Sequence, residues 1–396
     1  MEDHGIQGVR TLALATLQQA GLTLVRFGLP ALAPFVREDL SLSLVQVGVL
    51  LAILDLGSFA AFIPTGIITD RWGERRVLQA GGIVMGMAVA LAALTPSYGL
   101  LLVGLMLAGI GFPSGHTAGS KIVIRHFPAG SRGLAIGVRQ AGLPIGGMAA
   151  ALLIPFLAGL GGWQLALSAV GLLCAIFGLL CGVLPDPPAG QGQGAGGAMI
   201  RHLLSDRDFL CITLMATALV VGQFTLPGYL PLFLVDRHGW TLSAAARLLA
   251  WVHFGGIVGR LMWGMVSDRF LKARRQPVMA WVIAGGGVLV LTLSQFPLGG
   301  GIGLASALAF FAGLFLVGWN GLFINLIVEK VGASKAATAL GVSLTVMFLG
   351  TMASPPLFGW VVEVTHSYTP AWLLVALCQV VALLFLNLVR EGKGRS

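Results

Sequence analysis

"GIITDRWGERR", residues 66–76, puts five charged side chains into the seven positions from Asp70 to Arg76. The thirty residues before Asp70 hold a single charge, Asp55. A second burst, "GMVSDRFLKARR" at 264–275, follows another long apolar run. Charge that appears in bursts and is otherwise avoided marks loops between segments whose surroundings exclude it. Over the 396 residues only 10% are charged and 57% are hydrophobic, against roughly 25% charged in an ordinary soluble domain. Such a chain lacks the side chains that cover a water-facing surface, so the bilayer is its solvent.

A span needs roughly 20 apolar residues at 1.5 Å rise each. Cutting the chain where charge, Pro and Gly gather gives twelve such segments, 11–36, 44–68, 77–95, 99–123, 133–158 and 162–184, then 209–234, 243–267, 277–297, 302–328, 336–360 and 369–390. Each is expected to be a helix, because in hydrocarbon every backbone N–H and C=O needs a partner inside the segment, and the runs are too long and uniform for barrel strands. The expected fold class is therefore an all-α membrane protein. The first ten residues, MEDHGIQGVR, lack a basic leader region, and no cleaved signal peptide is expected.

With both termini placed in the cytoplasm, 18 of the 24 Lys and Arg fall on inner loops and tails, and three (Arg37, Arg237, Arg247) on outer ones. That asymmetry orients the chain and accounts for its net charge of +9 through anionic lipid, with no nucleic-acid partner implied. The pattern suits a multi-pass protein of a prokaryotic-type inner membrane, expected to be monomeric. Cys174, Cys181, Cys211 and Cys378 lie in apolar spans without CxxC spacing and read as small packing residues; neither a metal site nor a cofactor is implied.

"PDPPAGQGQGAGG", 185–197, has no apolar periodicity and reads as a flexible linker. It sets the expected organisation as a six-helix half at 1–184, a cytoplasmic linker at 185–208 and a second six-helix half at 209–396. The halves repeat. Asp70-Arg71 and Asp268-Arg269 are 198 residues apart, each preceded by a Gly four residues earlier, and "LAIGV" at 134–138 echoes "TALGV" at 338–342.

The loop "GIITDRWGERR" resembles the signature between the second and third helices of the major facilitator superfamily, with a degraded copy half a chain later, in which Gly73 has no counterpart. The resemblance covers the whole chain and implies two pseudo-symmetric six-helix halves that alternate access to a central site. It also implies a conformational latch at Gly66, Asp70, Arg71, Gly73, Arg75 and Arg76, with Asp268 and Arg269 in the second half. In that reading Asp70 meets the N-terminus of the eleventh span, from about Ala336, since a carboxylate is stabilised at the positive end of a helix.

Charged residues deep inside spans point to the site of a carrier. Arg26 and Asp55 lie roughly 16 and 18 Å from the outer edge by rise per residue, so an ion pair between adjacent antiparallel spans is expected, with Asp55 as a proton site. Arg139 and Arg260 lie roughly 10 and 12 Å from the inner edge. Three arginines against one aspartate leave about two positive charges at membrane depth, where each costs about 2.5–3.5 kcal/mol, so an anion is expected to compensate them. The fork of Arg suits a carboxylate. Gln140, Gln223, His253, Asn320, Trp319 and His116 supply further polar or aromatic candidates, His253 also as a proton site two turns from Arg260. "GRLMWGMVSDR", 259–269, is similar to the eighth helix of monocarboxylate and oxalate carriers, which implies that Arg260 binds a substrate carboxylate; the acidic motif of the first helix of the animal carriers is absent, and Gly256 stands where an Asp is expected.

The expected function is a secondary transporter moving a small organic anion by alternating access in proton-coupled symport. The alternative is a proton-driven exporter of drugs or other hydrophobic compounds, which calls for acids rather than arginines in the cavity. No Walker loop or HExxH motif is present, so neither ATP-driven transport nor a membrane enzyme is expected.

Overall fold

The computed structural model describes residues 2–95, 97–127, 129–184, 197–271, 274–295, 301–331 and 336–390. Among the described residues every regular element is helical. Eleven helical stretches are long and apolar enough to cross a membrane. One of them, Val138–Val183, has 46 residues, more than twice the length of a span. It covers the expected fifth and sixth spans within α7 (Ala129–Leu180), and the helix is interrupted where Gly161 (φ −157°, ψ 30°) and Gly162 (φ 78°, ψ 175°) leave helical geometry. Only Gly adopts the positive φ of Gly162 without a Cβ penalty.

Other expected spans are divided too. The first is α1 (Glu2–Arg26) followed by α2 (Leu29–Asp39), and the second is α3 (Leu44–Trp72). The third is α4 (Glu74–Ala92); the fourth is split into α5 (Tyr98–Gly109) and α6 (Pro113–His126), where Pro113 cannot supply a backbone donor. The stretch 185–208, expected to be linker throughout, contains a helix, α8 (Gly197–Ser205). Its apolar residues Ile200, Leu203 and Leu204 favour it, with Leu203 buried. Asp206 then caps α9 (Arg207–His238), its side chain accepting from the Phe209 amide at 3.0 Å. The expected eighth span comprises α10 (Leu242–Arg247) and α11 (Leu249–Phe270), and α12 (Arg275–Ser294) is the ninth. The tenth is α13 (Ile302–Ala312), a π-helical turn at Gly313–Val317 and α14 (Asn320–Val331); α15 (Ala336–Thr365) and α16 (Tyr368–Leu388) complete the chain.

The chain forms two compact units. The first comprises Met1–Leu42, Leu50–Gly192 and Thr241–Ala250, and the second Ser43–Val49, Gln193–Trp240 and Trp251–Ser396. The same backbone crossing holds each together. In the first unit a Cβ on Gly57 would stand 1.9 Å from the Met106 carbonyl oxygen, and one on Gly109 would stand 2.1 Å from that of Leu54. In the second, Gly255 and Gly313 face the carbonyls of Phe310 and Val252, both at 1.9 Å. Small residues of this kind let helices meet at backbone distance where lipid provides no hydrophobic drive. The second-span pairs Leu54/Val252 and Gly57/Gly255 keep the 198-residue spacing of Asp70 and Asp268, and the fourth-span pair Gly109/Gly313 keeps the 204-residue spacing of "LAIGV" and "TALGV". An aromatic donor also ties corresponding ends, Trp163 Nε1 to Asp39 at 2.7 Å in the first unit and Tyr368 OH to Asp236 at 2.7 Å in the second.

Candidate functional site

Arg26 and Asp55 form the expected pair. Arg26 Nε and Nη2 donate to the two carboxylate oxygens of Asp55 at 2.7 and 3.0 Å, the parallel two-bond geometry that suits guanidinium and carboxylate. The guanidinium also lies 4.9 Å from the Phe112 ring centre, and that ring stands 5.1 Å from the imidazole of His116. A cation over an aromatic face gains electrostatic stabilisation. Asp55 is 3% exposed, so its carboxylate is withdrawn from water, and Arg26 is only slightly exposed.

Arg139 is fully buried in the same unit and has no carboxylate partner among the described residues. Neutral acceptors hold it. Nη1 donates to Gln19 Oε1 at 2.8 Å and to the Gly115 carbonyl at 2.7 Å, and Nη2 donates to Ser120 Oγ at 3.0 Å. Its Nε is buried without a hydrogen bond, as are Gln19 Nε2 and Gln140 Oε1. Gly119 leaves the room that the guanidinium occupies, since a Cβ there would come within 3.2 Å of Nη1. Gln18 and Gln19, consecutive amides inside an apolar run, are site-forming residues that the sequence reading passed over, and the doublet itself was the signal. Gln18 donates to the Leu78 carbonyl at 3.3 Å and to Ser114 Oγ at 3.1 Å, joining α1 to α4 and α6.

In the second unit, α11 carries His253 and Arg260 on one continuous helix, as their spacing predicts. Arg260 makes no hydrogen bond and no ion pair among the described residues, and its Nε is buried without an acceptor. Nearby along the fold, Asn320 Nδ2 donates to Gln223 Oε1 at 3.3 Å and to the Val317 carbonyl at 2.9 Å, which bridges α14 and α9. The π-helical turn sets this up, because widening a helix by one residue frees carbonyls from their usual partners. Trp263 Nε1 takes the Leu314 carbonyl at 2.9 Å, Trp319 Nε1 that of Leu316 at 3.0 Å, and Asn320 that of Val317. Trp319, named above as a substrate contact, is 1% exposed within the apolar core of this unit and packs edge-on against Phe323. Its ring and its N–H are both engaged by protein.

Repeat spacing sharpens the comparison of the units. His253 occupies the place of Asp55, and Asn320 that of His116. Ser343 occupies the place of Arg139 and bonds Thr213 at 2.7 Å, while Phe62 occupies that of Arg260. The first unit therefore carries Arg139, and the second Arg260, at places where the other has no arginine.

Of the expected latch residues, the Asp70 side chain lies outside the described residues. Gly73 caps α4 at φ 84°, and Arg71 and Arg76 are exposed. Beside them Glu74 is wholly buried and pairs with Lys121 at 3.8 Å, a contact that no sequence signal marked. A Cβ on Gly66 would meet nothing within 4 Å. Asp268 bonds Arg275 Nη1, whose Nε donates to Glu329 at 3.0 Å, and Arg269 is exposed.

Long apolar helices, a twofold repeat of their crossings and arginines at membrane depth define a polytopic membrane transporter. The Major Facilitator Superfamily model matches residues 16–355, and the chain belongs to that family. It is 28% identical to an uncharacterised MFS-type transporter of Mycobacterium tuberculosis, over 91% of this chain and 80% of that one. It is 27% identical to monocarboxylate transporter 13 of Rattus norvegicus, over 92% of this chain and 82% of that protein. Its fold is similar to the crystal structure of a D-xylose-proton symporter, with a TM-score of 0.79 at 18% identity and 99% of both chains covered. The protein is thus a multi-pass membrane transporter, not an enzyme.

Proposed function

We propose that the protein carries a small organic anion of the monocarboxylate type, by alternating access and in symport with protons. The observation that carries this reading is Arg260, a partly buried guanidinium whose Nε is buried and which has no acceptor among the described residues. Such a charge is costly at membrane depth until an anion neutralises it, and a carboxylate matches its fork. Gln223 and Asn320 offer amides in the same unit. The likeness to a monocarboxylate transporter over nine-tenths of the chain agrees with this substrate class.

In this reading the chain spans a prokaryotic plasma membrane twelve times, with α7 counted as two spans broken at Gly161–Gly162, both termini in the cytoplasm and halves at 1–184 and 209–396. Asp55 takes a proton and releases Arg26 during the cycle, with His253, at the matching place in the repeat, as a second proton site. Asp70 and its basic neighbours latch the inner face. The test is a thermal-shift series on purified protein with small mono- and dicarboxylates, inorganic anions and cationic drugs, repeated on Arg260→Leu. A carboxylate that stabilises the parent and not the variant supports the assignment. Stabilisation by cationic drugs alone refutes it.

A further inference from the structure

Arg247 is one of the three basic residues that the charge asymmetry leaves at the end opposite the basic loops, and the transport site makes no use of it. It closes the short helix α10, is exposed, and donates from Nε to the Ser243 carbonyl of its own helix at 3.2 Å. Its remaining N–H donors meet no acceptor among the described residues. The side chain lines a cleft of about 580 Å³ in the first unit, together with Ser243 and with Leu152, Leu153, Pro155 and Phe156 of α7. Small-ligand clefts span roughly 300–1,000 Å³, so the volume is sufficient for a bound molecule.

The two helices that line it differ in chemistry. From α7, Leu152 is 50% exposed and Phe156 63% exposed, which gives an apolar wall that protein leaves uncovered. From α10 come the cation and Ser243, one helical turn apart. Phe156 is five residues, about 8 Å of helix, before the break at Gly161. Helix α10 begins directly after the turn at Gly239, at an end of α9. An exposed guanidinium on an outer loop beside an uncovered apolar wall suits an anionic headgroup oxygen, and a phosphate oxygen pair fits its fork.

We propose that this cleft holds one membrane phospholipid, its phosphate on the Arg247 guanidinium and an acyl chain along Leu152, Leu153 and Phe156. Charge complementarity fixes the headgroup end, and the exposed apolar wall fixes the chain end. A free inorganic anion would satisfy only the first.

The experiment is native mass spectrometry of the full chain released from detergent micelles containing phosphatidylglycerol, compared across parent, Arg247→Gln and Phe156→Ala. The parent is expected to retain one lipid, Arg247→Gln to lose at least tenfold in retained lipid, and Phe156→Ala to lose several-fold. Arg247→Lys, which keeps the charge without the fork, falls between parent and Arg247→Gln. Inorganic phosphate at the same concentration is expected not to displace the lipid. Equal retention by parent and both variants overturns the proposal, and so does full displacement by phosphate, which would make the site one for a free anion. Because none of these residues belongs to the proposed transport site, carboxylate binding is measured independently on the same samples.

Discussion

In the first unit both deep guanidinium groups are occupied, Arg26 by the two oxygens of Asp55 and Arg139 by Gln19, Gly115 and Ser120. In the second unit Arg260 has no such partner among the described residues, although the helix around it is packed at backbone distance through Gly255 and Gly259. The contrast separates two uses of a charge in lipid. A partnered arginine fastens helices together, whereas one left open in an otherwise close-packed unit is a position held for something that comes and goes. Sequence depth alone put Arg139 and Arg260 in the same class; their surroundings put them in different ones.

The contrast is most exposed to attack at the ion pair. Asp55→Asn leaves Arg26 without its counter-charge, and breaking a buried pair costs about 3–5 kcal/mol, so the purified protein should melt several degrees lower. Replacing both residues by leucine should recover most of that loss; a single variant that melts like the parent would remove the pair from the account. Arg139→Leu comes next. It strands the acceptors of Gln19, Gly115 and Ser120, at about 1–3 kcal/mol for a buried group left unmade, and a loss of that size in chemical or thermal denaturation is expected. Gly73→Ala tests the loop that distinguishes the halves, since a side chain at φ 84°, ψ 161° costs about 1–3 kcal/mol and the second loop has no matching glycine. The smallest effect is expected for Asn320→Ala, about 0.6 kcal/mol, the average for an interhelical hydrogen bond in lipid.

Most of the fold was legible because the bilayer imposes a single rule on long apolar runs. The segment positions follow from hydropathy, and the repeat from Asp70 and Asp268. What the runs did not reveal were the internal breaks, since Gly28, Gly162 and the π-helical turn at Gly313–Val317 depend on backbone packing that leaves no mark on hydropathy. The Arg26–Asp55 pair was legible from rise per residue, two opposite charges at one depth on neighbouring spans. Gln19 and Ser120 were not, because an uncharged acceptor looks in sequence like any other small break in an apolar stretch, and only its distance to Arg139 gives it a role. Trp319 shows the converse. A tryptophan beside an asparagine at mid-span suggests a cavity wall, but the carbonyls freed by the π-helical turn give its N–H a partner within the core.

The central claim is that Arg260 waits for an anion, and the direct measurement is the melting temperature of parent and Arg260→Leu with and without millimolar small carboxylates. Removing an uncompensated, partly buried charge should leave the ligand-free variant at or above the parent, and the carboxylate-induced rise expected of the parent should vanish. A variant that melts lower than the parent without ligand, and still rises with carboxylate, would show that Arg260 is a structural residue and that the anion binds elsewhere.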